Sequence, residues 1–207
     1  MGVRSVSPRR RVSAPERRAQ ILEAALRCFG DRGYHLATMD DLARTARLSK
    51  GSLYWHFRSK EDVLLALFDG FAEEALAGFR DLSGSEPVLE GICRAGNASL
   101  ERLGAALPVT RAWLEFFANP EARQRMASVY EEVRALLASL LAEGVGRGEL
   151  REIPVESVAA GFVATVEGLL MQAFADPRFD ARRHWPKLFE VWARGLRVTP
   201  SLAKGDA

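Results

Sequence analysis

The sequence predicts an all-α protein with a basic head (residues 1–60) followed by a longer acidic body (residues 61–207). Apolar residues recur at helical spacing along most of the chain, and Ser, Thr and Asp stand where these runs begin. The head holds 13 Lys and Arg against 5 Asp and Glu, whereas the body holds 16 against 22. This charge division predicts two domains, and a basic domain beside an acidic one favours nucleic acid as the partner of the first.

The chain opens with an arginine-rich segment, residues 1–14, for which two interpretations stay open. It is either an arm that follows DNA phosphates or enters a minor groove, or a solvated tail. The first helix is predicted to run from Pro15 to Gly30, with Pro15 in its first turn and Gly33 closing its end. Its apolar stripe predicts that it covers the helices that follow.

Two short helices are predicted next, separated by a break at Arg47-Leu48. Leu53 and Phe57 stand four residues apart, so the second of these helices packs through one narrow apolar edge. Two short helices joined by a tight turn indicate a helix-turn-helix. The boundaries rest on three pairs of helix-capping residues: Thr38 with Asp41, Ser49 with Ser52, and Ser59 with Asp62.

The polar side chains that remain outside the second short helix suit DNA. Lysines contact phosphates, and Ser or Tyr hydroxyls reach phosphates or base edges. Gly51 removes a side chain where a DNA backbone would approach closely. An ordinary helical hairpin with a solvated face is the alternative, but it requires neither this glycine nor the exposed Tyr54-Trp55-His56 run. The pattern therefore favours DNA binding.

Residues 16–61, and above all Leu53-Tyr54-Trp55-His56-Phe57, resemble the DNA-binding signature of tetracycline-repressor-type (TetR family) regulators. This family usually has Gly where the present turn has Arg47. A left-handed conformation costs a non-glycine residue about 1 kcal/mol, so we expect either a reshaped turn or an added phosphate contact from Arg47. The resemblance implies DNA contacts from Thr38, Lys50, Gly51, Ser52, Tyr54, His56 and Lys60.

The body is predicted to be a bundle of helices. A long helix from Ser59 to Asp81 leads out of the head as a lever between the two parts. Helices over 88–103, 110–118 and 121–144 follow, separated by Gly- and Pro-containing breaks. We expect these helices to surround the centre of the body.

Residues 157–175 form the most apolar stretch, in which Glu167 is the single charge. Its length would fit a membrane, but Glu167 and the polar Thr165 and Gln172 argue against a span, so we expect no membrane. A helix that is apolar nearly all round is buried on more than one side. With the last helix, it predicts a homodimer through residues 155–175 and 185–198, with Leu170 in the contact. By resemblance this would be a four-helix bundle, and a plain core is the alternative.

A ligand pocket is expected in the centre of the body, where large apolar surfaces meet a few polar groups. The resemblance implies an inducer site there, and the residue types favour a small apolar or aromatic ligand. Core packing is the alternative for each residue. The candidate ligand-binding residues are Cys93, Asn97, Trp113, Phe116, Phe117, Met126, Tyr130, Phe162, Glu167 and Met171.

The sequence contains no recognisable catalytic or cofactor motif. It lacks a Gly-x-Ser-x-Gly, a phosphate-binding glycine loop and a His-Glu-x-x-His, and Cys28 and Cys93 fit no metal-ligand spacing. The arginine-rich start lacks the apolar core of a secretory signal. We therefore expect no enzyme activity, no cofactor, no metal and a cytoplasmic location.

These features together predict a homodimeric, ligand-responsive transcriptional regulator, a repressor, that binds a pseudo-palindromic double-stranded DNA operator. A ligand-blind DNA-binding or architectural dimer is one alternative. A small enzyme in the body is the other, and it would require a reactive constellation that the sequence does not show.

Overall fold

The computed structural model describes residues 13–80, 82, 86–105 and 120–198 of the chain. It divides into two compact units, Met1–Leu67 and Phe68–Ala207. The charge pattern of the sequence predicts this division at residue 60, whereas the units divide within the helix that starts there. Three of the candidate ligand residues, Trp113, Phe116 and Phe117, lie outside the described residues, as do most of the arginine-rich segment and the helix expected over 110–118.

The first unit contains α1 (Ala14–Arg32), α2 (Met39–Thr45), α3 (Lys50–His56) and the first turns of α4 (Lys60–Arg80). Its core is formed by large side chains that are shielded from water almost completely, and each stabilises the fold by about 1.5–3 kcal/mol. The largest of these are Ile21, Phe29, Leu42, Leu53, Val63 and Leu64.

Side-chain caps define where these short helices begin. Thr38 and Asp41 form a reciprocal capping box at α2, in which the Thr38 hydroxyl donates to the Asp41 carboxylate at 2.7 Å. The Ser49 hydroxyl accepts the Ser52 N–H at 3.2 Å at the start of α3. Helices of seven residues hold few internal hydrogen bonds, so their ends depend on such caps. The first two capping signals in the sequence, and that of Ser59 with Asp62, are confirmed.

Arg47 occupies the turn between α2 and α3 with a φ of 56°. Our expectation of a turn reshaped to avoid this conformation is wrong. Arg47 is exposed, so its side chain leaves the turn without a clash in the core. The backbone therefore keeps the left-handed geometry that glycine adopts more easily, and the residue bears the steric cost.

Lys60, the first residue of α4, fastens the segment between α1 and α2. Its ammonium donates to the backbone carbonyls of Tyr34, His35 and Ala37 at 2.9, 3.1 and 3.3 Å. It also lies 4.5 Å from the centre of the Tyr34 ring. These carbonyls belong to a connecting segment rather than to a helix, and the lysine supplies hydrogen-bond donors to them.

The second unit contains the rest of α4, then α5 (Val88–Ala105), α6 (Pro120–Gly146), α7 (Val155–Ala175) and α8 (Ala181–Leu196). Helix α7 packs against α5, α6 and α8, and α5 also packs against α6 and α8. The last helix begins at Ala181 rather than at Trp185, where we expect it from the sequence. Asp180 caps this earlier start, and Pro186 is accommodated inside the helix.

Helix α8 is anchored to α5 by Trp185, which is 1% exposed. The indole N–H donates to the carbonyl of Cys93 at 3.0 Å. A Cβ atom on Gly96 would come within 2.2 Å of the indole ring, so only glycine permits this approach. The aromatic packing continues from Trp185 through Phe189 to Phe162.

Helix α7 is much less covered than its composition demands. Only 22% of its most apolar 18-residue window is buried, although the mean hydropathy there is 1.6. It is the one described helix that would suit a membrane by length and composition. Its exposed side carries Ala160, Ala164 and Gly168, spaced four residues apart on one face.

Replacement of Arg47 tests the strain in the turn. We expect Arg47→Gly to unfold with about 0.5–1 kcal/mol more free energy than Arg47→Ala. Both lose the guanidinium, but alanine keeps the Cβ that disfavours a left-handed residue, and this outweighs the entropy of glycine in the unfolded chain. Urea denaturation of the two variants measures the difference. An alanine variant as stable as the glycine variant would mean that the turn carries no such strain.

Candidate DNA-binding surface and ligand cavity

Helix α3 is fixed by one buried edge and presents its other sides to solvent. Leu53 is fully buried and Phe57, which caps the helix end, is nearly so. On the outside, Gly51 and Tyr54 are exposed, and Trp55 keeps 73% of its surface accessible. A short helix held by its apolar edge, with hydroxyl and aromatic groups outward, has the form of a helix that enters a DNA groove.

Gly51 has no packing role on the protein side. A Cβ atom built there would meet nothing within 4 Å. Glycine inside a helix costs about 0.5–1 kcal/mol relative to alanine, so the fold would gain from a side chain at this position. The open space above α3 is what a closely approaching partner backbone would need.

Lys50 is already paired within the chain. Its ammonium lies 2.8 Å from one oxygen of Asp40 and 3.1 Å from the other. The hydrogen bond to Asp40 raises the pKa of Lys50. The pair is exposed and joins the first turn of α2 to the first turn of α3, so a phosphate that binds Lys50 must compete with this carboxylate.

Two other candidate DNA contacts also have partners in the first unit. The Thr38 hydroxyl caps α2, although its residue remains exposed. The three carbonyls that Lys60 binds occupy its three N–H groups, which makes Lys60 a brace of the α1–α2 segment. Ser52 is half-buried and Arg47 is exposed at the adjoining turn.

His56 lies at the end of α3, close to two arginines of α1. Burial lowers its pKa, and the charges of Arg17 and Arg18 lower it further. The imidazole is therefore neutral at pH 7 and acts as a hydrogen-bonding group, with the cationic charge supplied by α1. The guanidinium of Arg18 also lies 4.9 Å from the centre of the Phe57 ring. Neither arginine is among the DNA contacts predicted from the sequence, although the Arg17-Arg18 pair stands ahead of the helix-turn-helix.

The second unit contains a cavity of about 420 Å³. Its walls are formed by helices α4, α5, α6 and α7, and the Trp185 side chain of α8 also lines it. Its lining is almost wholly apolar. This volume lies in the range of pockets that enclose small molecules, and such an unfilled apolar space is otherwise unfavourable in a core.

Five of the seven described ligand candidates line this cavity, namely Met126, Tyr130, Phe162, Glu167 and Met171. The other two, Cys93 and Asn97, do not. Their side chains contact each other beside the Trp185 anchor, with the Asn97 amide 4.0 Å from the Cys93 sulfur. Both residues lie on α5, as expected, but the side chain that lines the cavity is that of Trp185.

The cavity holds few polar groups. Burial raises the pKa of Tyr130, and its hydrogen bond with the Glu167 side chain raises it further. The phenol is therefore protonated and donates to the carboxylate. Ser99 is 6% exposed, lines the cavity, and its hydroxyl has no hydrogen-bond partner among the described residues. Such a group is costly to bury, by about 1–3 kcal/mol, unless something else satisfies it.

None of the residues that α4 supplies to the cavity wall is among the ligand residues predicted from the sequence. Phe68, Phe71 and Phe79 line the cavity, although their helix was interpreted only as a lever. Their spacing along α4 was the available signal. Leu170, which we expect in a subunit contact, is half-buried and also lines the cavity. Its place in a subunit contact stays a prediction.

Among the described residues, no group of three or more His, Cys, Asp and Glu side chains could hold a metal ion. Cys28 and Cys93 are free thiols. Burial raises the pKa of both. Both thiols are therefore protonated at neutral pH and are poor nucleophiles.

Comparison with known proteins matches both parts of the chain. Residues 21–67 match the model of bacterial regulatory proteins of the tetR family, and residues 89–197 match the C-terminal part of BetI-type transcriptional repressors. ArpR of Pseudomonas putida, a probable HTH-type transcriptional regulator, is 30% identical over 208 residues, which cover 95% of this chain and 99% of ArpR.

Solved structures of similar fold include two with a bound small molecule. The SmeT–triclosan complex, of a Stenotrophomonas maltophilia protein, gives a TM-score of 0.74 at 20% identity, over 92% of this chain and 96% of that one. FadR from Bacillus subtilis with stearoyl-CoA gives 0.73 at 22% identity, over 86% of this chain and 98% of that one. The chain belongs to the TetR family of DNA-binding transcriptional regulators and is not an enzyme.

Proposed function

We propose that this protein is a ligand-responsive transcriptional repressor that binds a pseudo-palindromic operator as a homodimer in the cytoplasm. One observation carries the proposal: a cavity of about 420 Å³ in the second unit accompanies a helix-turn-helix in the first. A regulator that only bound DNA would gain stability from a filled core. The retained cavity is therefore explained by a molecule that occupies it.

In this proposal α3 enters the major groove. Tyr54 and Ser52 reach base edges or phosphates, Lys50 exchanges Asp40 for a phosphate, and neutral His56 donates a hydrogen bond. Gly51 allows the DNA backbone to come close to the helix. Thr38 and Arg47 contact phosphates at the two ends of α2, whereas Lys60 acts chiefly by holding the α1–α2 segment in place.

The second subunit would cover α7 and α8. The small residues on the exposed face of α7 allow close helix approach, and α8 adds Leu188 and Val191, of which Val191 is 66% exposed. A second copy of the same surface forms a closed, two-fold contact. Such symmetry matches the two halves of a pseudo-palindromic operator. It also covers the apolar face of α7 without a membrane.

Ligand binding is coupled to α4 in this mechanism. Two ion pairs connect α4 with α6 beside the cavity. Arg125 of α6 lies 2.7 Å from Asp69 of α4. Arg80 of α4 contacts Glu132 of α6 as well as Glu73 of its own helix. A ligand that separates α4 from α6 would change the position of α4, which continues into the first unit. The operator would be released to the extent that the ligand prefers the second position.

The glycine of α3 tests the DNA-binding surface. Gly51→Ala should raise the free energy of unfolding by about 0.5–1 kcal/mol, because alanine favours the helix. It should nevertheless weaken DNA binding by about 1–3 kcal/mol, because the new methyl group lies where the partner approaches. Fluorescence anisotropy with a duplex selected from a random pool measures the affinity.

The matched control for this test is Gly70→Ala. Gly70 is also an exposed helical glycine, and a Cβ atom placed on it would meet nothing within 4 Å, but it lies on α4 beyond the first unit. Its alanine variant should gain similar stability and keep full DNA affinity. Unchanged DNA binding by the Gly51 variant would place the recognition surface elsewhere.

The subunit contact is tested with a charge on α7. Ala164→Arg should give a monomer in sedimentation analysis and lose operator affinity, because a buried unpaired charge costs several kcal/mol. Ala135→Arg, an equally exposed alanine on α6, should remain dimeric. A dimeric Ala164 variant with full affinity would exclude this face as the interface.

The switch is tested by linkage. Neutral, cationic and anionic biphenyls are first screened for a rise in melting temperature. Any that binds should weaken operator binding by about 1–3 kcal/mol at saturation, and operator should weaken its binding equally. Val166→Phe, which narrows the cavity, should abolish the ligand response and keep operator affinity. Tight binding without an effect on DNA would make the protein a ligand-blind DNA-binding dimer.

A further inference from the structure

The charge of the cavity wall limits the ligands that it accepts. Glu167 is the single charged side chain among the described residues that line the cavity, and the same wall contains no lysine, arginine or histidine. An apolar cavity has few dipoles to stabilise a charge, so one carboxylate dominates its potential. We propose that this cavity selects apolar molecules that carry a cationic nitrogen and that Glu167 is its specificity-determining residue. This inference rests on the proposed ligand response.

Tyr130 does not neutralise Glu167. Its hydroxyl hydrogen-bonds with the carboxylate and remains protonated, so it stabilises the anion without supplying a positive charge. A carboxylate has about four acceptor positions, and one phenol occupies only one of them. No other described residue hydrogen-bonds to Glu167, so the remaining positions can accept from an N–H donor on a ligand. Tyr130 thus leaves the charge of Glu167 available.

Arg134, a cation close to Tyr130, lies outside the cavity wall. It is close enough to Tyr130 to act against the rise in the phenol's pKa, but it is exposed on α6 and does not line the wall. Solvent screens a charge in that position far more than one inside the cavity. A ligand in the cavity therefore experiences Glu167 strongly and Arg134 weakly.

The aromatic wall favours the same class of molecule. Phe68, Phe71, Phe162 and Trp185 line the cavity together with Tyr130. The negative faces of aromatic rings attract cations, particularly where water is excluded. An anionic ligand would meet both these rings and Glu167. Ser99 adds one hydroxyl for a further hydrogen bond and no charge.

Three biphenyls that differ in one group test the inference. They are 4-phenylbenzylamine, 4-phenylbenzyl alcohol and 4-phenylbenzoate, which share an apolar part and present a cation, a neutral hydroxyl and an anion. Calorimetric titration of the full-length protein at neutral pH should give the tightest binding to the amine, about tenfold weaker binding to the alcohol and the weakest to the carboxylate. Equal or tighter binding of the carboxylate, or binding of none of the three, would overturn the inference.

Variants assign the preference to Glu167. Glu167→Gln keeps the shape and removes the charge, so the amine should lose its tenfold advantage over the alcohol. Glu156→Gln, an exposed glutamate in the first turn of the same helix, should leave the order unchanged. Tyr130→Phe should keep the preference for the amine, because the carboxylate remains. An amine preference that survives Glu167→Gln in a folded variant would contradict the assignment.

DNA does not enter this measurement, which separates it from the test of function. The order of the three affinities decides the charge preference alone. A protein that showed this order and yet held its operator unchanged would refute the ligand response and leave the specificity of the cavity established. If 4-phenylbenzoate bound most tightly and also released the DNA, the ligand response would be supported and the preference for cations refuted.

Discussion

The cavity of the second unit depends on how Trp185 is held against α5. The indole would collapse into the empty space beside it if it were free to turn, but its N–H is bonded to the Cys93 carbonyl and its ring lies against Gly96. A directional hydrogen bond and a steric fit together fix the ring in one rotamer. The space in front of it can then stay open, because the side chain that would fill it is restrained. Phe189 packs against the Trp185 ring and against Phe162, which also lines the cavity.

The first unit achieves rigidity by different means, because it is small. In place of a large core, it has caps at α2 and α3, the Lys60 brace and a compact set of apolar side chains. Short helices have little stability of their own, so each depends on its terminal hydrogen bonds and on one buried edge. In this arrangement the outer side of α3 around Gly51, Tyr54 and Trp55 does not contribute to the core. The same surface can therefore be specialised for a partner, and Gly51 shows that stability has been given up there.

The sequence predicted the helices, their caps and the all-α class well, because capping residues and helical periodicity are local signals. It failed where the outcome depended on which side of a helix faced inward. Helix α7 is apolar on nearly every side, so periodicity did not reveal that Leu170 lines the cavity. Cys93 and Asn97 were placed on the correct helix, but the path of Trp185 across α5 is a long-range contact without a local signature. At Arg47 the sequence indicated a strained turn position, and the fold has the left-handed conformation there.

The ion pair between Asp40 and Lys50 has a consequence for the way such a protein would search a genome. Non-specific affinity for DNA comes from the release of ions condensed on the phosphates, and each free lysine contributes to it. Lys50 already carries a counterion in the form of Asp40, so its contact with an arbitrary phosphate exchanges one anion for another. Only a site that offers further contacts along α3 would make the exchange favourable. If Lys50 contacts DNA as proposed, the carboxylate would shorten the time spent on random sequence, at the expense of some affinity for the correct one.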